Sequence, residues 1–182
     1  MEGGEGEASR EFLDSIRAGD PDWWDEVLRR LYPRLRAFAA RRVAPDEVDD
    51  IVSETMTRAV TNIGRFHGEE GALDGWLFGI ARNVAADHQR RLRRFRRTDR
   101  HRVDIAPTSP DEALLLDSDH ASVRAAFEKL SPTERDVLEL RVIGGLSAEQ
   151  TASALGKRAG AVRVAQFRAL AHLRRLLDTS DE

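Results

Sequence analysis

The stretch from Leu130 to Leu177 constrains this chain most: LSPTERDVLELRVIGGLSAEQTASALGKRAGAVRVAQFRALAHLRRLL. Two helix starts of one design are written into it. Ser131-Pro132-Thr133-Glu134 supplies a serine cap, a proline at the first helical position and a glutamate that reaches back to the cap. Ser147-Ala148-Glu149-Gln150 repeats the device with glutamine. Gly144-Gly145 ends the first helix, and the second runs only from Ala148 to Leu155. Gly156 then permits a tight turn that a β-carbon would hinder. A longer helix follows, from about Gly160 to Leu176. Two helices joined by a short glycine turn, with arginines on the second, form the pattern of a DNA-reading helix-turn-helix.

Charge supports that reading. The last helix carries Arg163, Arg168, Arg174 and Arg175, with Lys157 and Arg158 at the turn, and no Asp or Glu lies between Gln150 and Leu177. A solvated helix of no particular role usually mixes signs. The whole chain is mildly acidic, at −3, but acid sits early and base sits in two later blocks. A nucleic-acid binder needs a basic face, not a basic whole.

Composition closes off other classes. With 182 residues the chain makes one domain or two small ones. It has no cysteine, so a disulfide, a thiolate zinc site or a thiol switch cannot be built from it alone. Its histidines, His67, His88, His101, His120 and His172, are scattered without ligand spacing, and no metal or cofactor is expected. No apolar run reaches membrane-span length and no signal peptide opens the chain, so a cytoplasmic protein without membrane insertion is expected.

Residues 1–10 are Gly- and Glu-rich and read as a disordered tail. From Arg10 to Arg42 apolar residues recur at helical spacing. Phe12, Leu13 and Ile16 form one short face; Trp23, Val27, Leu28, Leu31 and Tyr32 follow a break at Gly19-Asp20-Pro21-Asp22; Leu35, Phe38 and Ala39 continue past Pro33. These aromatic side chains read as core anchors. Ala44-Pro45-Asp46 opens the next helix, to Ile63, with Val48, Ile51, Val52, Thr55, Met56, Ala59 and Ile63 as its buried stripe. Asp46, Glu47, Asp49, Asp50 and Glu54 crowd its first turns. The helix dipole favours acid there, yet five acids exceed what capping needs, and a docking patch for a basic partner is the other reading.

That helix resembles a known family. Its DEVDDIVSETMTRA, from Asp46 to Ala59, is similar to the region 2 signature of bacterial RNA polymerase sigma factors of the extracytoplasmic-function group, with Ser53 and Met56 replacing the usual glutamine and phenylalanine. The resemblance implies that Asp46, Asp49, Asp50 and Glu54 dock on the polymerase β′ clamp. The segment ALDGWLFGIARNVAAD, from Ala72 to Asp87, is similar to the family's next block. In the family this region opens the minus-ten promoter element and holds an unstacked base. A base leaves the stack only where a protein pocket replaces its stacking and hydrogen bonds. That implies a minus-ten set of Phe66, His67, Gly68, Glu69, Arg82, Asn83, Arg90, Arg91 and Arg94, with the base pocket between Phe66 and Gly71. Trp76 and Ile80 read as helix core. The arginine run from Arg90 to Arg97 has little acid beside it and would repel itself unless it met a polyanion.

Residues 98–122, with Pro107, Pro110 and several aspartates, read as a linker between a domain over 11–97 and a second over 123–178. The stretch opened on above resembles the family's region 4. Leu130, Val137, Leu138, Leu140, Leu146, Ala152 and Leu155 would pack its core, closed by Val162, Leu170 and Leu173. Its last helix departs from the family's common form: Val164 and Ala165 replace a serine and an arginine. By position Arg158, Arg163, Val164, Phe167 and Arg168 would face the minus-35 element, arginine pairing with guanine and the apolar side chains touching thymine methyl groups.

The expectation is therefore an all-α, two-domain transcription initiation factor without catalytic residues. Its partners would be core RNA polymerase, through the β′ and β subunits, promoter DNA, and an anti-sigma factor of the kind that covers these surfaces in the family. Two other readings stand beside it. One is a stand-alone helix-turn-helix regulator that needs no polymerase. The other is a metal-dependent nuclease using the Asp46–Glu54 carboxylates, although their spacing follows a helix better than a metal cage.

Overall fold

The computed structural model describes residues 3–98 and 118–178, with side chains over residues 10–95 and 122–178. Among those residues all regular structure is helical. The helices are α1 (Gly3–Ala18), α2 (Pro21–Ala40), α3 (Val48–Asn62), α4 (Leu73–Thr98), α5 (Ser118–Glu128), α6 (Pro132–Leu138), α7 (Ala148–Leu155) and α8 (Ala159–Asp178). Most of the expected linker lies outside the described residues.

The first four helices form around one apolar seam. Asp20 caps α2 by accepting the Asp22 amide at 3.0 Å, and Pro21 takes the first helical position. Trp24, Val27, Leu31, Leu35 and Phe38 then fall on one buried face. Trp24, not Trp23, is the buried anchor; its indole N–H donates to the Ile16 carbonyl at 3.1 Å, which a buried indole requires. Trp23 stays 37% exposed and only edges Phe12 at 5.2 Å between ring centroids. The α3 stripe is buried as expected, with Val48, Ile51, Val52, Thr55 and Ala59 inside and Met56 partly so. Thr55 keeps its hydroxyl satisfied on the Ile51 carbonyl at 2.6 Å.

Helix α1 begins at Gly3, inside the stretch expected to be a disordered tail. The physical reason is cooperativity. Phe12, Leu13 and Ile16 are buried and fix the C-terminal half, and adding turns to an existing helix costs far less than starting one.

In the second half α5 to α8 surround two small clusters. Val137, Ala148, Ala152 and Val162 form one; Leu130, Leu138 and Ala169 form the other. Ala169 replaces the expected Leu170, which is 47% exposed. Val162, Ala165, Ala169, Leu173 and Leu176 repeat at three- and four-residue steps, and that stripe leaves Leu170 on the outer side. Leu140 and Leu146 were expected in this core, yet they pack into the core of the N-terminal helices instead. They are carried there by a π-turn over Glu139–Ile143 that extends α6, closed by the Gly144 amide on the Glu139 carbonyl at 2.8 Å.

The cap of α6 yields a stability prediction. Ser131 Oγ accepts the Glu134 amide at 3.3 Å, and Glu134 accepts the Ser131 amide at 2.8 Å. The Glu134 carboxyl is held down from 4.5 to about 2, first by its bonds from Ser131 and then by His172, 3.0 Å away. A depressed carboxylate stabilises the fold above its unfolded value and loses that contribution as pH falls through the folded one. Thermal melts should therefore lose stability between pH 4.5 and about 2, and Glu134→Gln should flatten that limb. At neutral pH Ser131→Ala should cost about 1 kcal/mol.

Candidate functional site

Three exposed surfaces collect the residues singled out above. The first is the outer face of α3. Asp46, Asp49, Asp50 and Glu54 are all exposed, because the buried stripe consumes the opposite face of the same helix. Asp49 accepts the Tyr32 hydroxyl at 3.0 Å and Arg36 Nε at 3.2 Å, and Glu54 pairs with Arg58 one turn on at 2.7 Å. Exposed pairs of this kind hold side chains in place without consuming their charge energetically. Glu47 turns inward instead, taking the Ala44 amide at 3.1 Å and approaching His88 Nε2 at 2.8 Å. These carboxylates do not converge, and among the described residues no group of three or more His, Cys, Asp or Glu could hold a metal ion.

The second surface is the loop from Ile63 to Ala72 and the far half of α4. His67 and Glu69 are exposed and Gly68 is half-buried. Phe66 is not available to a base as expected: it is 5% exposed, tilted against Trp76 at 5.3 Å, and supports the loop from below. Asn83, Arg90, Arg91 and Arg94 lie exposed along α4. Asp87 pairs with Arg58 at 3.3 Å and with Arg90, and these bonds push its carboxyl below the usual range, while Glu54 first and Asp87 second raise Arg58. Arg82 is half-buried and engaged: its Nε donates to Asp136 of α6 at 2.7 Å.

The third surface is the outer face of α8. Ser147 and Gln150 close the cap of α7, Gly156 takes the left-handed conformation at φ +62°, and α8 starts three residues later. With Val162 and Ala169 buried, Arg163, Val164, Phe167 and Arg168 are all on the solvent side, and Arg158 is exposed at the turn. Phe167 is 76% and Val164 51% exposed. Arg163 pairs with Glu149 of α7, while Arg141 Nε donates to Gln166 at 2.8 Å and fixes α8 against the preceding turn. An open groove of about 590 Å³ runs beside them, lined by Ser131, Glu134, Val164, Arg168 and His172 among others. A basic helix face bearing exposed apolar side chains, held across a short capped helix, has the shape and charge to enter a DNA groove.

Sequence reading passed over a fourth set: Arg34, Arg42, Asp136, Glu139 and Gln150, which join the two halves. The available signal was a pair of acids, Asp136 and Glu139, interrupting the apolar period of a helix expected to pack.

Comparison with known proteins follows the same division. The Sigma-70 region 2 family model matches residues 27–95, and the Sigma-70, region 4 model matches residues 120–173. The ECF RNA polymerase sigma factor BldN of Streptomyces coelicolor is 32% identical, over 92% of this chain and 65% of that protein. The ECF RNA polymerase sigma factor SigD of Mycobacterium tuberculosis is 33% identical, over 90% of this chain and 83% of that protein. Among solved structures, the sigma factor RpoE from Bartonella quintana, crystallised with the anti-sigma factor NepR, is 27% identical with a TM-score of 0.63, covering 85% of this chain and 96% of that one. The chain belongs to the extracytoplasmic-function group of bacterial RNA polymerase sigma factors.

Proposed function

We propose that this chain, a transcription initiation factor that directs core RNA polymerase to promoters, works through the three surfaces just described. The acidic face of α3 docks on the polymerase β′ clamp. The loop after α3 and the arginines of α4 engage the minus-ten element as it opens. The outer face of α8 reads the minus-35 element, with the β subunit holding the second half of the chain in place. One observation carries the assignment: an exposed four-acid face and an exposed arginine face lie on different helices of one chain, each opposite the apolar stripe that packs inward, Val48, Ile51, Val52, Thr55 and Ala59 on α3 and Val162 and Ala169 on α8. A factor that bridges a basic enzyme surface and a polyanion needs both. The stand-alone regulator has no use for the acidic face.

The factor itself is non-enzymatic in this reading, and polymerisation belongs to the core enzyme. No helix among the described residues is long and apolar enough to cross a membrane, and the protein works where the chromosome is, in the cytoplasm. An anti-sigma protein, as NepR is for the Bartonella RpoE, is a natural regulatory partner.

Run-off transcription with purified core polymerase and a library of promoter fragments tests the function. Promoter-specific transcripts that depend on the chain are expected; specific DNA binding without any gain in polymerase specificity would leave the stand-alone regulator. The α8 assignment has its own check. Arg163→Ala/Arg168→Ala should weaken minus-35 duplex binding by about tenfold or more, at about 1–3 kcal/mol for each lost guanine contact less the small amount that the exposed Glu149 pair already draws from Arg163. Equal loss on promoters with and without the minus-35 element would assign these arginines to phosphate alone.

A further inference from the structure

The loop proposed to hold the unpaired base is pinned at both ends and lies close on an aromatic ring between them. The Phe66 amide donates to the Ile63 carbonyl at 2.9 Å, and the Ala72 amide donates to the Glu69 carbonyl at 2.9 Å. Residues 63–72 include Gly64, Gly68 and Gly71. A Cβ added at Gly64 or Gly71 would meet nothing within 4 Å. At Gly68 it would fall 2.7 Å from Cζ and 2.8 Å from Cε2 of Phe66, and 3.0 Å from the Cβ of Ala72. Carbon atoms rest about 3.5–4.0 Å apart, so only glycine lets the backbone come this near the ring. The ring has little room to yield, being 5% exposed and tilted on Trp76 at 5.3 Å. His67, Glu69, Glu70 and Gly71 are exposed around this close approach.

Helix α1 adds a second support. Phe12, Leu13 and Ile16 enter the core that also holds Phe66. Arg17 follows them at the surface, and its Nη2 donates to the Phe66 carbonyl at 3.4 Å. Its Nη1 donates to Asp14 at 3.2 Å, one turn back, which fixes where the planar guanidinium points. The Phe66 carbonyl belongs to the peptide that leads into His67, where the chain returns to the surface. Phe66 is thus tied at its amide by Ile63, at its carbonyl by Arg17 and at its ring by Trp76 and Gly68.

We propose that α1 and Gly68 preform the minus-ten loop: Arg17 is a positioning residue that holds the peptide between Phe66 and His67, and Gly68 lets the loop settle on the Phe66 ring. The proposal rests on the minus-ten role assigned above to this loop. The reason lies in what base capture costs. A base leaves the stack only if the protein replaces what it loses, and a loop that had to order itself at that moment would add the entropy of every residue it fixed. Settled beforehand, residues 67–71 offer one arrangement to the unpaired base, and more of the contact energy goes to holding it. Neither Arg17 nor Gly68 has to touch the base through a side chain for this to work.

The test uses the complex of this chain with core polymerase and a fork-junction DNA whose minus-ten strand is unpaired. Each minus-ten position of that strand is made abasic in turn. At the captured position the wild type should favour the base-bearing fork over the abasic one by about tenfold. Gly68→Ala should reduce that preference to about twofold or less, because the added carbon lifts the loop from the ring. Arg17→Met, which keeps the stem and loses the donor, should reduce it by about threefold. Gly64→Ala and Gly71→Ala should keep it. Core pull-down and the urea midpoint, measured on the same variants, separate positioning from folding, since a merely structural role weakens both forks alike. An unchanged preference in Gly68→Ala and Arg17→Met, equal loss on both forks, or equal loss in all three glycine variants overturns the proposal. Should Gly68→Ala fail to fold, Arg17→Met decides alone, its side chain being at the surface, and an unchanged preference again overturns it. A wild-type complex that treats base-bearing and abasic forks alike at every position would remove the minus-ten role of the loop itself, and the positioning role with it.

Discussion

Asp49→Arg/Asp50→Arg should lower promoter-specific transcription by about 100-fold or more while leaving the protein folded. The size follows from charge. Two carboxylates proposed to face a basic partner become two guanidinium groups, and like charges juxtaposed across an interface cost several kcal/mol. Every 1.4 kcal/mol is a factor of ten, so even about 3 kcal/mol removes a hundredfold of binding. The fold should tolerate the change. Both residues are exposed, and the buried stripe of α3 is untouched. Asp49 would release the Tyr32 hydroxyl and Arg36, but both contacts are at the surface, where such pairs are worth little. Base in the first turn opposes the helix dipole by about 0.3–1 kcal/mol for each substitution. Melting temperature should therefore fall by about 1–8 °C, at about 2–4 °C for each kcal/mol in a chain of this size. A pull-down of core polymerase reads the lost docking directly. Retained transcription and retained core binding would remove α3 from the interface and reduce its acids to dipole compensation.

How much of this was legible beforehand divides by range of interaction. Both capping boxes, the turn at Gly156 and the buried stripe of α3 are local, and each was readable because the residues that cause them lie within a few positions of one another. Trp23 and Trp24 show where local reading stops. Adjacent tryptophans sit about 100° apart around a helix, and only the carbonyl of Ile16, on another helix, decides which one is buried. Leu170 and Ala169 repeat the point: a small residue was passed over for a large one, yet close approach of α8 to its neighbours favours the small side chain. Phe66 was assigned to a ligand when Trp76 had already claimed its ring. The contact between the halves lay furthest from view. Arg34 and Gly144 are 110 residues apart, and nothing near either one announces the other.

The second large effect expected is on stability and contrasts two phenylalanines. Phe38→Ala should cost about 3–5 kcal/mol, a large share of the 5–15 kcal/mol that holds a domain together. Phe38 is fully buried, stands edge-on to Phe78 at 5.5 Å between centroids, and is roofed by the Arg42 guanidinium at 4.3 Å. Removing it leaves a cavity and also withdraws the ring that positions Arg42, so the pairs with Asp136 and Glu139 loosen together. Buried Glu139 would then lack its fixed counter-charge, which adds to the cost because a half-broken buried pair is worse than none. Phe167→Ala should do the reverse. That ring is 76% exposed on α8, so its loss should leave the unfolding midpoint within about 0.5 kcal/mol of wild type while weakening minus-35 binding. Urea titration and a promoter-binding assay on both variants separate the two roles. A destabilised Phe167→Ala, or a Phe38→Ala of wild-type stability, would mean that the faces of α8 and α2 are assigned the wrong way round.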